Sequence, residues 1–270
     1  MFFLAATVFL LLCNLSFAKE SVLPVQWPST SVKFSFLGEL LDDVYSADVA
    51  LAGEYAPCNC FSIYGDFSYR LTSIEFNTML HDQIHEMLDL QVNGFNESYL
   101  GMKFMPYPFL GVDVSWRLPP GEGSQVNRFH RLGVEPFYLY PFSKGLLLGV
   151  AASYYTFLED DDFQPGDELG VKASMEWRVA WDYDDPSGWL FDYVFLYRWR
   201  IQESQNLSMS KPYQEMKDLY RGFRMRVDAG RYFSVKKGSL GVSLFYEMNR
   251  GYLFGMETGH SLGLYTKYLF

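Results

Sequence analysis

The chain predicts an all-β protein: an antiparallel up-and-down transmembrane β-barrel of about twelve strands, ten being the alternative. Three observations carry this. Apolar and polar side chains alternate with a period of two from about residue 31 onward. Short turns and long polar loops take turns between the alternating segments. The last ten residues, S-L-G-L-Y-T-K-Y-L-F, keep the alternation up to a bare phenylalanine.

Composition bounds the class. The 270 residues suit one barrel and are 49% hydrophobic and 19% aromatic, which excludes a disordered chain. A net charge of −10 argues against nucleic acid as a partner. The apolar run Phe2–Leu12 is too short to span a bilayer, and small residues at Ser16 and Ala18 flank Phe17. This pattern predicts a secretory signal over residues 1–18, cleaved near Ala18. No Lys or Arg precedes the run, so an uncleaved anchor is the alternative; a lipoprotein at Cys13 would need a small residue where Leu12 stands. Residues 19–30 are then a periplasmic N-terminal segment and 31–270 the barrel. No later run of 18 apolar residues predicts a membrane helix.

The strands are predicted near residues 35, 50, 66, 102, 113, 133, 151, 175, 195, 226, 244 and 265. Most are around ten residues long, the length of a tilted strand crossing a bilayer. The clearest runs W189-L-F-D-Y-V-F-L-Y-R-W-R. Trp189, Phe191, Tyr193, Phe195, Tyr197 and Trp199 share one face; Asp192, Arg198 and Arg200 lie on the other. L169-G-V-K-A-S-M-E-W-R-V-A-W splits likewise, with Trp177 and Trp181 opposing Lys172, Glu176 and Arg178. Short connections P57-C-N-C, M105-P-Y-P, P141-F-S-K-G, D182-Y-D-D-P-S-G and V235-K-K-G mostly hold Pro or Gly. Connections of the other parity, such as 73–96 and 202–217, are mostly longer and more polar.

A soluble barrel also alternates, but keeps its apolar face inside. Three features predict the inverted arrangement. The apolar faces carry aromatics near strand ends, including Tyr55, Tyr69, Trp116, Trp177, Trp181, Trp189 and Trp199, as interfacial girdles do. The opposite faces repeat small residues, Gly111, Gly133, Gly149, Gly170, Gly241 and Gly263, which suit a crowded interior. The chain also starts with an export signal. Arg or Lys facing lipid near the midplane costs about 2–4 kcal/mol, and the period of two places nearly all basic residues on the face opposite the aromatics.

On these residues the chain resembles bacterial outer-membrane β-barrel proteins, whose closing strand ends in an aromatic preceded by alternating apolar residues. Leu262, Leu264, Tyr268 and Phe270 match; Thr266 is a weak member. The resemblance implies the outer membrane of a Gram-negative bacterium, with its lipids and lipopolysaccharide as surroundings. It also implies that the barrel-assembly machinery reads Tyr268 and Phe270.

The candidate functional residues are basic. Arg198 and Arg200 lie near Arg224 and Arg226 on the next strand, with Arg178 on the preceding one. The functional reading is a basic track in the lumen of a passive, porin-like channel for small or anionic solutes. The alternative is a closed structural or surface-interaction barrel, its lumen filled by ion pairs with Glu176, Asp192, Asp228 and Glu247. Asp48, Glu54, Asp66, Asp113 and Glu135 face inward too. Cys58 and Cys60 are read as two thiols in a turn, although a local disulfide or a metal pair is open to them. His81 and His85 share a face if 79–88 is a helix, a weak metal candidate; an amphipathic helix packing on the barrel mouth is preferred. The acidic run at 159–162 reads as a solvated loop. Outer-membrane lipases and deacylases use His with Ser at the lipid face; His130 and His260 lie near strand ends, but neither spacing names a partner Ser and acid. No cofactor is predicted.

Overall fold

The structure is a computed structural model that describes residues 25–41, 44–75, 94–95, 98–118, 130–158, 166–182, 187–201, 221–250 and 258–270. The leader, its cleavage point, His81, His85 and the acidic run at 159–162 lie outside the described residues.

Thirteen strands form in chain order. They are β1 Ser31–Leu41, β2 Val44–Cys58, β3 Phe61–Glu75, β4 Gly94–Phe95, β5 Ser98–Tyr107, β6 Leu110–Leu118, β7 Arg131–Ser143, β8 Leu146–Phe157, β9 Glu168–Asp182, β10 Ser187–Arg200, β11 Arg221–Val235, β12 Gly238–Arg250 and β13 Thr258–Leu269. Every pairing is antiparallel. β13 pairs with β1, and β1–β2 and β2–β3 complete the circuit, so the sheet closes on itself. The two-residue β4 only adds a short pair to β3. The ring therefore holds twelve strands. Two-residue turns at 59–60, 108–109, 144–145 and 236–237 mark one rim, and residues 30 and 270 meet there through Phe270 N–H donating to the Thr30 carbonyl at 3.1 Å. This is the up-and-down barrel that the alternation predicts.

The turn at 59–60 corrects one expectation. Cys58 and Cys60 are joined as a disulfide, their Cα atoms 5.3 Å apart. Cys58 holds the last ladder position of β2, opposite Phe61, and the tight reversal folds Cys60 back onto it. That separation lies in the bridging range.

The wall is apolar outside. Phe34, Leu51, Phe67, Phe104, Val150, Leu244 and Leu264 are all exposed on the outer surface, and the alternate residues of the same strands face in. So contiguous an apolar exterior suits hydrocarbon and not water. Trp116 and Trp199 stand on the outside near the long-loop rim, Trp177 and Trp189 near the short-turn rim. Trp181 does not join them. Ala180 adopts φ +50° and the register slips between Ser187 and Trp189, a β-bulge that breaks the alternation. The Trp181 ring then packs on Tyr232, 5.4 Å between centroids, and under the Arg178 guanidinium. Arg231 is a basic residue on the outer face; it lies against Trp189 and Phe233 at the short-turn rim, where the cost of charge falls to about 0–1 kcal/mol.

Inside, five aromatic rings lie over glycines directly opposite them. The pairs are Tyr64 with Gly101, Phe137 with Gly111, Tyr155 with Gly133, Tyr232 with Gly241 and Phe245 with Gly263. A β-carbon at any of these glycines would overlap the ring. The repeated inward glycines are therefore sockets, each occupied by a neighbour's ring, which pins register and curvature together. Gly241→Val should destabilise the barrel by about 1–3 kcal/mol despite valine's better strand propensity, since Tyr232 is only 1% exposed. Urea unfolding in detergent checks this, and adding Tyr232→Ala should return part of the loss.

Candidate functional site

The lumen is organised by height. In its outer half the alternation points Arg198 and Arg200 of β10 inward beside Arg224 and Arg226 of β11. The register sets Gly222 opposite Arg198 and Leu196 opposite Arg224, so the arginines interleave diagonally. Arg198 and Arg200 both reach Glu168, each at 3.3 Å. Arg226 makes a bidentate pair with Asp228 at 2.7 and 3.0 Å and lies 4.0 Å from Glu247. Its guanidinium sits 4.0 Å from the Phe245 ring centroid. Arg178 is not part of this group. It stands opposite Leu190, eight residues below the Gly170–Arg198 pair, or about 26 Å at ~3.3 Å per residue. There it bonds Glu176 at 2.6 Å.

Sequence reasoning missed two further arginines. Arg117 and Arg131 are opposed across β6 and β7, both buried. The Tyr155 ring has Arg131 at 4.3 Å and Arg198 at 4.6 Å from its centroid, linking the two arginine groups around the wall. The parity of L110-G-V-D-V-S-W-R already points Arg117 inward; Tyr155 was hidden because it reads as one more aromatic of the wall.

Below the arginines lies a cavity of about 170 Å³. Lys33, Lys103, Lys172 and Lys267 line it with Glu54, Asp66, Asp113, Glu135, Asp192 and Asp228. Lys172 pairs with Glu135 at 2.5 Å and Lys103 with Glu54 at 3.2 Å, while Tyr64 donates to Asp113 at 2.6 Å.

The short-turn mouth is crossed by residues 25–30. Thr30 bonds Ala56 of β2, Ser29 N–H donates to Glu54, and the Trp27 indole donates to the Pro108 carbonyl. Gln26 then reaches Glu176 at 2.9 Å, and Val25 N–H reaches Ser174 Oγ at 3.2 Å, both on β9. In a ring of twelve, β9 is five strands from β1, so the segment runs from one wall nearly to the opposite one. Val25 is buried among Met105, Phe137, Leu139, Leu147 and Ala151, with Trp27 against them. Gly149 leaves the space that Val25 fills.

No protein-family model matches the sequence, and no curated protein matches it either. Solved structures do. An outer-membrane channel from Pseudomonas putida F1 superposes with a TM-score of 0.61 at 12% identity, over 93% of this chain and 99% of that one. The NanC porin gives 0.55 at 9%, over 88% and 98%. LpxR from Salmonella typhimurium gives 0.54 at 9%, over 89% and 100%. The fold is that of an outer-membrane β-barrel.

In this barrel the closing strand β13 carries Leu262 and Leu264 on the outside, followed by Phe270, at 64%, 44% and 69% exposure. The Tyr268 ring meets Phe270 edge-on at 4.6 Å. His130 accepts from the Trp116 indole at 3.2 Å, and His260 bonds the Tyr246 hydroxyl at 2.6 Å. Among the described residues, the hydrogen-bond partners of His130 and His260 are thus an indole and a phenol.

Proposed function

We infer that this protein is a porin-like passive channel in the outer membrane of a Gram-negative bacterium, reached after removal of a signal near Ala18. Its solutes are small, and anionic ones are favoured. Surrounding lipids and lipopolysaccharide contact the wall, and the barrel-assembly machinery reads Leu262, Leu264, Tyr268 and Phe270. One observation carries the reading: Arg117, Arg131, Arg198, Arg200, Arg224 and Arg226 converge in the outer half of the lumen. Among them, Arg198 and Arg200 pair with Glu168, and Arg226 with Asp228 and Glu247. A cluster of fixed positive charge between low-dielectric walls raises local anion concentration. Two of the three named solved structures, a porin and a channel, support a conducting role.

Reversal potentials across a salt gradient in planar bilayers test it. Replacing Arg198, Arg200 and Arg224 by Gln should lower anion preference, with Arg226 kept because its pairing supports the wall. Unchanged selectivity overturns the arginine track. A second reading, a structural or surface-interaction barrel closed by its own ion pairs, is favoured by the segment 25–30 across the mouth. Absence of stable single-channel steps, both before and after that segment is removed, establishes it. A hydrolase at the lipid face stays open as a minority reading, with His130 and His260 as its candidates and LpxR among the similar folds.

A further inference from the structure

Lys33 and Lys267 stand directly opposite one another on β1 and β13, at the seam where the barrel closes, and both face the cavity. Like charges so placed repel, and sheets avoid them. Other cavity lysines are matched: Lys103 has Glu54 and Lys172 has Glu135. Lys33 has only the face of Tyr265, 4.7 Å to the centroid. Among the described residues no carboxylate lies within ion-pair reach of Lys33 or Lys267. The flanking positions at the same level are small, Ala52 beside Lys33 and Gly241 beside Lys267.

The complementary anomaly lies three strands round the ring, on β10. Glu176, Asp192 and Asp228 stand abreast on β9, β10 and β11. The outer two are bonded, Glu176 to Arg178 and Gln26, Asp228 to Arg226 and Tyr265. Asp192 between them is 5% exposed, and its Oδ1 has no hydrogen-bond partner. A buried carboxylate oxygen without a donor is costly and calls for an explanation. Lys267 and Asp192 are among each other's electrostatic neighbours, yet do not touch.

We propose that the cavity is a binding site for a small zwitterion, its carboxylate or phosphate held between Lys33 and Lys267 and its ammonium held on Asp192. Such a ligand removes both defects at once, whereas a simple anion or a simple amine removes one and leaves the other. Size agrees. A cavity near 150 Å³ admits a molecule about the size of benzene, so 170 Å³ suits an amino-acid-sized solute of roughly seven heavy atoms. Val25 and Gln26 line it from the short-turn side, where Gln26 is held by Glu176. The site stands on lumen geometry and needs no ion flow, although it also names a solute class for the proposed channel.

The test is calorimetry on the whole mature barrel in a non-ionic detergent, with γ-aminobutyrate as probe and butyrate and butylamine as single-charge controls. γ-Aminobutyrate should bind at least about tenfold more tightly than either control, as expected when a charge-assisted contact is added. Lys267→Gln and Asp192→Asn should each weaken it by about tenfold or more; Arg231→Gln, on the outer wall, should leave it unchanged. A heat-dependent gel shift confirms that each variant is folded, and Lys33→Gln serves if Lys267→Gln is not. No binding by the folded wild type, equal binding of butyrate, or indifference to Asp192→Asn overturns the site. Binding without current in bilayers, even after the segment before Ser29 is removed, would sink the channel reading and leave the site; current without binding would do the reverse.

Discussion

Starting the mature chain at Ser29 should raise single-channel conductance several-fold in planar bilayers. The segment removed is what closes the short-turn mouth: Val25 fills the hollow above Gly149, Gln26 holds Glu176, and Trp27 caps Pro108. Burying one valine contributes about 1.5–3 kcal/mol, and a hydrogen bond to a carboxylate about 1.5–3 kcal/mol more. The Val25 N–H bond to Ser174 and the packing of Trp27 add to this hold, against about 1–2 kcal/mol of backbone entropy for each ordered residue. Intact protein should therefore show rare, brief openings and the shortened chain steady current. Gly149→Leu gives an independent route, since its side chain occupies the place of Val25 without altering the N-terminus. Equal conductance of intact, shortened and Gly149→Leu proteins would mean that the segment does not govern passage.

The largest loss of stability is expected from Arg226→Met, about 3–5 kcal/mol. Arg226 is 3% exposed, and it neutralises Asp228, 4% exposed, and Glu247, 0% exposed. Methionine keeps much of the stem's contact with Phe245 but leaves two buried carboxylates facing each other. Removing one partner of a buried pair is costly because the other cannot reach water. Urea denaturation followed by the heat-dependent gel shift measures the change. Adding Asp228→Asn and Glu247→Gln should recover most of it, because neutral amides need no counter-charge. Arg231→Met, on the outer wall, should stay within about 1 kcal/mol. A midpoint for Arg226→Met equal to wild type would show that the cluster is already hydrated and not a structural support.

Particular residues show how far sequence could go. A two-residue period is a local property: it assigns each side chain to one of two faces without knowledge of any partner. That is why Phe191, Trp189 and Leu264 could be placed outside and Arg198, Glu176 and Asp228 inside. It fails where the backbone breaks step, and the bulge at Ala180 turned Trp181 toward Tyr232 unannounced. It is also silent on height. Arg178 and Arg198 share the inner face but sit at opposite ends of the lumen, a consequence of register between strands. The glycines were visible as small inward residues; their partners, such as Tyr155 over Gly133, depend on which residue falls opposite across the ladder.

By itself, then, the sequence determined the class of fold, a ring of about twelve strands, which rim carries the short turns, and which face is apolar, since all follow from periodicity and turn chemistry along the chain. The tertiary structure alone decided what the lumen is. It brought Lys33 against Lys267 at a seam joining residues more than two hundred positions apart, left Asp192 between two bonded carboxylates, and laid Val25 across the mouth onto β9. Those placements depend on long-range register and on which empty volume a side chain finds, and neither is written in the local pattern of a strand.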